Sequence, residues 1–594
     1  MTPFLRRALH RLGFESRLAA TTRPAVRKQS QTVGERQDAL RRRTPNWTPR
    51  TLDQALDCVA EEFPRRPYVI TDAATYTYAE MRLWSGRIAR GLADAGVRPG
   101  DHVALVMANF PEFVAAKFAI ARAGAVCVPV NFLNRRDELG YVLKQSDAVL
   151  LITMDRFRNL DYLQALDELA PGWETKGGGD VLPMLKKIVV FPTGAKPVPV
   201  GAMAFADLSL SDAPWQANPR ADPASLSDII YTSGTTGAPK GVMLTHDMFL
   251  RAAFGSAYGR AFGDAHRITF SLPMYHVYGY AEGMLSVLFA GGAIIPQLQF
   301  DAAATLKTIE RHRANDVLLI PTMTLALLDE LKTQKFDLSS LHHVISSGGR
   351  APANIWTQIF EHLQPDEITT GYGMTEVTAS ATVTRPDDPI EKLLKTNGRL
   401  RNVGPAGDPA LGGKLVAYRV VDPETGKEVP PGQPGELMAK GPGVTRGYYK
   451  KPEATAAAFD AGGWLHTGDL GTIDIDDYLV LAGRLKESYR CGGEQVMPTE
   501  IEDVLVLHPA VAQAHIVPLP DARMGEVGVA FVVLRPEPKV TPAELITYCA
   551  ERVARFKVPK HVLPVTAEDI PVTPSGRARK FLLSQKAVEA LGIK

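Results

Sequence analysis

A run of small hydroxyl residues and glycines that ends in a lysine is the stretch most suited to chemistry. It reads Thr232-Ser-Gly-Thr-Thr-Gly-Ala-Pro-Lys240 and follows an apolar segment, 226–230, that is typical of a strand. Glycine lets the backbone approach a ligand closely, and successive backbone N–H groups form a concavity that binds anions. The hydroxyl groups and the Lys240 ammonium add donors that suit phosphate. The run therefore predicts a phosphate-binding loop, with a flexible surface loop as the alternative; its spacing is not that of a Walker A loop.

Other polar segments follow predicted strands further along the chain. Ser346-Ser-Gly-Gly349 ends one strand, and Thr370-Gly-Tyr-Gly-Met-Thr-Glu376 comes after another short run. His276 lies on a predicted strand-to-helix turn, although a lone histidine is often only a structural group. Ligands of doubly wound sheets bind beyond the carboxyl ends of the strands, so these segments are where a ligand is expected.

Length and composition limit the class of protein. The chain has 594 residues and a formal net charge of +2. Several domains are expected because single cores stop growing near ~250–300 residues, and the near-neutral charge gives no support for nucleic-acid binding. The cysteines are far apart and form no CxxC pair, so we predict neither a zinc site nor a disulfide framework. No apolar run approaches the ~20 residues needed to cross a bilayer.

The first fifty residues are rich in arginine and poor in acidic residues. Apolar residues between Phe4 and Phe14 could line one face of a short helix. A basic helix at a membrane surface and an organelle transit segment are the two functional interpretations, and a disordered basic tail is the third. A secretory signal is excluded because the apolar core of such a signal is missing. We predict a cytoplasmic protein, or an organelle-matrix protein if the segment is a transit signal.

Strand and helix patterns alternate in two regions. In the first region the predicted strands are 102–107, 125–130, 148–153 and 187–191, with helices at 111–123 and 138–144. In the second region the predicted strands are 267–272, 317–320 and 343–347, with helices at 244–254, 280–289 and 322–331. Alternation with short connections predicts parallel sheets with crossover helices.

The pattern changes after residue 402. Short β-rich runs between 402 and 480, punctuated by glycine and proline, predict a small antiparallel barrel or sandwich. Helices and strands beyond 487 predict a separate α+β domain. The predicted fold is α/β, with a basic extension at 1–50, a large region at 51–484 that has two doubly wound parallel-sheet subdomains plus a small β-barrel, and a smaller C-terminal domain at 485–594.

Six segments, in this order and spacing, resemble the adenylate-forming superfamily of acyl-CoA synthetases, nonribosomal adenylation domains and luciferases. They are Tyr231–Gly241, Gly371-Tyr-Gly-Met-Thr-Glu376, Trp464-Leu-His-Thr-Gly-Asp469, Gly483-Arg484, Gly492-Gly-Glu-Gln-Val-Met-Pro498 and Pro571-Val-Thr-Pro-Ser-Gly576. The resemblance extends from about Thr51 to the C-terminus. It implies that ATP activates a carboxylic acid as an acyl-AMP.

The resemblance also implies roles for individual residues. Binding of ATP or AMP would fall to Thr232, Ser233, Gly234, Thr235, Thr236, Gly237, Lys240, Gly349, Gly371, Tyr372, Gly373, Thr375, Asp469 and Arg484. Catalysis would use Lys240, His276, Glu376 and Arg577, and Mg²⁺ would be held by Thr236 and Glu376. The C-terminal domain would rotate about Lys486, and Gly492 and Gly493 would form the loop beside the CoA thiol. The structural alternatives are a core aromatic for Tyr372, a turn residue for Asp469 and an ordinary turn for the glycine pair.

One position departs from the family pattern. The last motif usually ends in Ser/Thr-Gly-Lys, whereas this chain has Arg577. Arginine keeps the positive charge but is bulkier and planar, so it is not equivalent to lysine. We expect Arg577 to substitute for the lysine; the alternatives are that Lys580 reaches in from the next turn or that adenylation is weak.

The sequence therefore predicts a ligase that joins a carboxylic acid to CoA with ATP and Mg²⁺, releasing pyrophosphate and AMP. Amino-acid-activating relatives carry an aspartate near His276, and this chain has none between Pro273 and Met284, only Glu282. The substrate is therefore expected to lack an α-amino group and to be a medium- or long-chain, alicyclic or aromatic acid. The alternatives are an acyl-AMP ligase that loads a carrier protein, a noncatalytic acyl-nucleotide binding protein and an oxygen-dependent light emitter. We predict no nucleic-acid partner and no transmembrane segment, and membrane contact only through the basic N-terminus.

Overall fold

A computed structural model describes residues 29–194, 197–211, 215, 221–232, 238–348, 355–572 and 578–592. Two seven-stranded sheets with helices packed against them form most of the region before residue 370. Two smaller antiparallel sheets follow, and a last mixed sheet lies in the C-terminal domain. The predicted α/β class with two largely parallel sheets is confirmed.

The first sheet is parallel apart from one edge hairpin. In spatial order its strands are Lys240–Thr245, Leu226–Thr232, Val126–Pro129, His102–Val106, Ala148–Met154, Lys187–Phe191 and Met203–Ala204. Its connections contain helices Pro111–Arg122, Arg136–Gln145, Tyr162–Leu169 and Trp173–Lys176, a two-stranded hairpin of Arg156–Phe157 and Leu160–Asp161, and a 3₁₀ helix, Phe205–Ser209. Apolar residues of the central strands are almost fully buried, as in a sheet that is covered on both faces.

The second sheet is likewise parallel apart from one antiparallel edge strand. In spatial order its strands are Glu367–Thr369, His343–Ser346, Asp316–Leu319, Arg267–Phe270, Ala293–Pro296, Pro67–Ile70 and Thr75–Thr77. The α-helices of this part of the chain are Leu52–Glu62, Tyr78–Asp94, His246–Gly259, Ala302–His312, Pro321–Glu330 and Ile355–Gln358. The predicted helix at 280–289 is a π-helical segment, Tyr278–Leu285, followed by a 3₁₀ turn, Ser286–Ala290, and a second π-helical segment is Ile359–Leu363.

The start of one predicted helix beside these sheets differs from the sequence prediction. The predicted helix at 244–254 begins only at His246, because residues 240–245 pair antiparallel with Leu226–Thr232. The Thr245 side chain then caps the helix by accepting a hydrogen bond from the Met248 N–H. The phosphate-loop sequence therefore joins the two strands of a hairpin.

Two antiparallel sheets follow residue 370, and the second of them covers most of the region 402–480 that was predicted to be a small antiparallel barrel or sandwich. One has strands Gly371–Met374, Ala379–Val383 and Arg399–Leu400, and the other has Ala417–Val421, Gly435–Lys440, Leu465–Ile473 and Leu479–Arg484. Two short helices, Ile390–Lys395 and Pro452–Ala458, lie among them. A bridge between Arg399 and Tyr478 links the two sheets.

The C-terminal domain is α+β, as predicted. Its sheet has strands Glu494–Val496, Tyr489–Cys491, Gly525–Leu534 and Val511–Asp521, with His561–Val565 parallel to Gly525–Leu534. Its α-helices are Pro498–Val506, Pro542–Ala550 and Lys580–Leu591. Buried apolar residues between Tyr489 and Ala587 form a core separate from those of the preceding sheets.

The basic extension contains an ordered helix, Val33–Arg43. A capping box of Thr32 and Glu35 starts it, and Leu40 is buried. Arg36 is also buried and forms an ion pair with Glu367 of the second sheet. Residues 33–43 of the basic extension are therefore helical, while residues 1–28 lie outside the described residues. None of the helices within the described ranges is long and apolar enough to cross a membrane.

Candidate active site

The predicted nucleotide segment begins where the second sheet ends. Strand Gly371–Met374 follows Glu367–Thr369 almost directly, and Glu367–Thr369 pairs parallel with His343–Ser346. The Ser347 hydroxyl, just beyond its own strand, donates a 2.6 Å hydrogen bond to the Gly371 carbonyl. Two predicted site segments therefore meet at the carboxyl edge of one sheet, as expected for a doubly wound fold.

Close strand packing explains the two glycines of the Gly-Tyr-Gly sequence. A Cβ on Gly373 would lie 1.8 Å from the Ala379 carbonyl oxygen, and one on Gly371 would lie 2.3 Å from that of Thr382. Any other residue would force the neighbouring strand, Ala379–Val383, away. The glycines thereby fix the position of Tyr372 between them.

Three predicted nucleotide-binding residues form one cluster. The Tyr372 hydroxyl donates a 2.6 Å hydrogen bond to Asp469 Oδ2, and Arg484 Nε lies 2.7 Å from Asp469 Oδ1. Asp469 and Arg484 face each other on paired antiparallel strands, which sets this geometry. Asp469 is only 2% exposed, and the partly exposed Arg484 guanidinium compensates its buried charge. A carboxylate has about four lone-pair sites and retains capacity to accept from ligand hydroxyls.

Glu376 lies in a 3₁₀ turn, Thr375–Val377, beside the cluster. Burial raises the pKa of its carboxyl group, and a 3.1 Å hydrogen bond from the Tyr448 hydroxyl to Glu376 Oε1 opposes that shift. Lys240 Nζ lies 4.7 Å from the centroid of the same tyrosine ring. Tyr448, which the sequence did not indicate as a site residue, therefore contacts both Glu376 and Lys240.

The donor set at Glu376 fits Mg²⁺. In the described part of the chain, no group of three or more histidine, cysteine, aspartate or glutamate residues could form an all-protein metal centre. Mg²⁺ is usually held by one or two carboxylates together with substrate phosphates and water. A single buried carboxylate near a lysine is consistent with a cation that arrives with a nucleotide.

His276 is half-buried on the turn between Arg267–Phe270 and Tyr278–Leu285. Its Nδ1 accepts a 3.2 Å hydrogen bond from the Tyr278 N–H, and burial lowers the pKa of the imidazole to about 4. The neutral ring therefore carries its proton on Nε2 at neutral pH, where it can donate a hydrogen bond.

Asn109, which sequence reasoning missed, fixes this turn from the first sheet. Its Oδ1 accepts from the Met274 N–H at 2.9 Å, and its Nδ2 donates to the carbonyls of Leu272 and Gln297 at 3.0 and 3.1 Å. In the sequence, Asn109 precedes Phe-Pro and has the character of an ordinary turn residue. Tyr448 was not indicated either, since its Tyr-Tyr pair lies in none of the six segments that carry the resemblance.

The predicted hinge and thiol-side loop adjoin each other in the chain. Lys486 is exposed in a 3₁₀ turn, Leu485–Glu487, that follows the last strand of the four-stranded sheet. Gly492 and Gly493 have φ values of 61° and 88° and form the two-residue turn of a hairpin. Lys580 Nζ lies 2.6 Å from Glu502 Oε1 and 3.5 Å from Glu487 Oε2, so in this structure it is paired within the C-terminal domain.

Several predicted site residues lie outside the described residues. They are Ser233, Gly234, Thr235, Thr236, Gly237, Gly349 and Arg577. Their flanking residues are described, and Thr232 faces Lys240 across the hairpin. The roles implied for these seven residues stay predictions.

Comparison with known proteins identifies the family. A family model described as AMP-binding enzyme matches residues 56–449, and one described as AMP-binding enzyme C-terminal domain matches residues 500–577. A methyl-dioxo-octahydroindenyl-propanoyl:CoA ligase of Mycobacterium tuberculosis is 34% identical over 532 residues, which are 89% of this chain and 98% of that protein. A mitochondrial medium-chain acyl-CoA ligase of Danio rerio is 31% identical and covers 91% of this chain and 89% of its own length.

A solved structure is also similar to this chain in fold. ATP-bound MatB from Rhodopseudomonas palustris superposes with a TM-score of 0.77 at 26% sequence identity, over 91% of this chain and 99% of that one. The first family match contains Tyr372, Glu376 and Lys240, the second lies in the C-terminal domain, and Asp469 and Arg484 fall in the interval 450–499 between the two matches. This chain belongs to the family of AMP-binding enzymes.

Proposed function

We propose that this protein is an ATP-dependent carboxylic acid–CoA ligase that forms an acyl-AMP and then an acyl-CoA. The observation that carries the proposal is the cluster of buried Tyr372 and Asp469 with the partly exposed Arg484, next to Glu376. It offers an aromatic ring, a carboxylate and a guanidinium within one small volume, which suits a nucleoside monophosphate. Both relatives described above are CoA ligases by name.

In the first half-reaction a carboxylate oxygen attacks the α-phosphorus of ATP. The bond from that phosphorus to the bridging oxygen breaks, and pyrophosphate leaves. Such transfers depend mostly on positioning and on compensation of phosphate charge. Lys240 would compensate the β- and γ-phosphates, and neutral His276 would donate from Nε2 to the acid. Glu376 would hold Mg²⁺, which when bound neutralises charge on the phosphate oxygens.

In the second half-reaction the CoA thiolate attacks the carbonyl carbon of the acyl-AMP, and AMP leaves with the oxygen that joined it to the acid. Rotation about Lys486 would bring the Gly492–Gly493 turn towards the nucleotide. Arg577 would act in the first half-reaction only. These assignments follow the family resemblance, and the glycine pair is supported by its two positive φ values.

An apolar acid without an α-amino group fits the surroundings of His276. Tyr275, Tyr278 and Tyr280 are all buried near it. Glu282, the sole acidic residue of this segment, is not available to an ammonium group, since Arg401 Nη2 lies 3.1 and 3.0 Å from its two oxygens. We infer a medium- or long-chain, alicyclic or aromatic carboxylic acid.

Pyrophosphate release across a panel of carboxylic acids tests the proposal. With purified protein, ATP and Mg²⁺, we expect release that depends on an added apolar acid and falls at least tenfold in Glu376→Gln. Adding CoA should yield the acyl-CoA without a further protein. Thioester formation only with a carrier protein would establish the acyl-AMP ligase instead, and the absence of acid-dependent release with every acid would refute both.

The cytoplasmic location is a further part of the proposal. Fluorescence microscopy of the tagged full chain tests it against the organelle alternative. A diffuse signal that is unchanged by deletion of residues 1–28 supports the cytoplasm. An organelle signal that depends on those residues supports a transit segment.

A further inference from the structure

Tyr448 contacts two residues of the proposed site that come from different elements. Its hydroxyl donates to Glu376 Oε1 at 3.1 Å, and Lys240 Nζ lies 4.7 Å from its ring centroid. Glu376 belongs to the turn after Gly371–Met374, and Lys240 begins the hairpin strand after the phosphate loop. One side chain therefore joins the predicted Mg²⁺ ligand to the predicted phosphate ligand.

The backbone around Tyr448 is held on both sides. Tyr449 N–H donates to the Gly241 carbonyl at 2.8 Å, and Thr445 N–H donates to the Glu376 carbonyl at 2.8 Å. The Tyr448 N–H donates to Thr455 Oγ1 at 3.0 Å. Because the segment is bonded to the strand of Lys240 and to Glu376 itself, the ring is fixed relative to both.

The two contacts differ in chemistry. A hydroxyl donor favours the ionised carboxylate and restricts its orientation. The ring face attracts the lysine ammonium without taking its hydrogen atoms, so that they stay free for phosphate oxygens. Among the described ion pairs, Lys240 and Glu376 do not pair directly, and the tyrosine ring lies between their elements.

We propose that Tyr448 is a positioning residue for the nucleotide phosphates and their cation: its hydroxyl orients Glu376, and its ring orients Lys240. The inference rests on the proposed function of those two residues. Tyr448 itself touches no reacting atom in this account. Its removal should therefore change the Mg²⁺ and ATP dependence more than the turnover number at saturation.

Tyr448→Phe and Tyr448→Leu separate the two contacts. Tyr448→Phe keeps the ring and loses the hydrogen bond to a charged group, so we expect the Mg²⁺ concentration for half-maximal pyrophosphate release to rise about tenfold. Tyr448→Leu also loses the ring, so ATP binding measured by calorimetry without Mg²⁺ should weaken about threefold or more. Tyr448→Phe should leave that Mg²⁺-free affinity unchanged.

Tyr449→Phe is the matched control. Its hydroxyl donates to Asp147 Oδ2 at 2.7 Å rather than to Glu376, so this variant should match the wild type in both measurements. In a Glu376→Gln background, Tyr448→Phe should add no further Mg²⁺ effect. If active wild-type protein shows the same Mg²⁺ dependence as Tyr448→Phe, the positioning role is wrong while the proposed function stands. If the wild type neither binds Mg–ATP nor releases pyrophosphate, the proposed function itself fails.

Discussion

At the scale of single residues, Asp469 organises the candidate nucleotide site. Its two oxygens face different partners, the Tyr372 hydroxyl and Arg484 Nε. Both partners hold the carboxylate in one orientation before any ligand arrives. A preorganised acceptor loses less conformational freedom on binding than a mobile one does.

Asp469→Ala tests this preorganised acceptor. The variant cannot accept hydrogen bonds from the hydroxyl groups of the nucleotide at the Asp469 carboxylate. Each hydrogen bond to a charged group contributes about 1.5–3 kcal/mol, so the Kd for ATP should rise about 10- to 100-fold. Calorimetric titration with ATP measures the change. Asp476→Ala, which removes an exposed loop carboxylate, is the control and should bind ATP as the wild type does. Equal ATP affinity in both variants would show that Asp469 is not part of the nucleotide site.

Candidate site residues that lie in sequence motifs could be named from the sequence. Residues whose role depends on contacts distant in the chain could not. Tyr372, Asp469 and Arg484 lie in three separate motifs, and the structure brings them into contact. Asn109 reaches Met274, 165 positions away, and Tyr448 reaches Glu376, 72 positions away. Neither residue has neighbours whose types signal a site, so only the folded chain reveals them.

At the scale of elements, the turn Pro273–His276 depends on the first sheet. Asn109→Ala would leave the Met274 N–H and the carbonyls of Leu272 and Gln297 without this partner, which costs about 1–3 kcal/mol. We expect a lower free energy of unfolding and a reduced kcat/KM for the acid, with ATP affinity retained. Denaturant unfolding and steady-state kinetics measure both. Asn131→Ala, which loses a contact to the Leu133 N–H in an exposed turn, should change neither quantity comparably.

The Gly492–Gly493 turn permits a second prediction at this scale. Gly493 has φ +88°, and no atom lies within 4 Å of the position that a Cβ would take, so Gly493→Ala introduces backbone strain of about 1–2 kcal/mol without a clash. Gly426→Ala is the control, since Gly426 has φ +67° and equal space but lies on a distant turn. We expect Gly493→Ala to slow thioester formation from supplied acyl-AMP and to spare pyrophosphate release. Equal loss of both activities would contradict a thiol-side role.

The elements themselves were partly predictable. Continuous apolar runs such as 102–107 and 148–153 gave parallel strands, because buried strands lack polar alternation. Strand Lys240–Thr245 was missed because its apolar residues run into the pattern of the next helix. Strand Pro67–Ile70 pairs with Ala293–Pro296 in the second sheet. Local sequence patterns do not predict pairing between strands so far apart in the chain.

At the scale of the whole molecule, histidines with lowered pKa values link stability to pH. Burial lowers the pKa of His246 to about 3 and those of His266 and His276 to about 4. In the unfolded chain these groups titrate near 6.5. Between about pH 6.5 and 4 the unfolded chain therefore binds protons that the folded chain does not. The free energy of unfolding should fall as the pH falls through this window, by about 1.4 kcal/mol per pH unit for each histidine.

His246→Asn tests this linkage. Asparagine keeps an acceptor for the Leu52 N–H, which His246 Nδ1 binds at 3.3 Å, and removes the titrating ring. Denaturant unfolding between pH 6.5 and 4.5 should show a slope that is smaller by about 1.4 kcal/mol per pH unit than in the wild type. An unchanged slope would show that His246 does not contribute to the pH dependence.

The central claim is that the acid is activated as an acyl-AMP, and an oxygen-isotope experiment tests it most directly. The acid that supports the most pyrophosphate release is labelled with ¹⁸O in its carboxylate and incubated with the protein, ATP, Mg²⁺ and CoA. Because CoA attacks the carbonyl carbon, the account predicts one ¹⁸O atom in each AMP, detected by mass spectrometry. Acyl-CoA formed with unlabelled AMP, or with the label in inorganic phosphate, would contradict it.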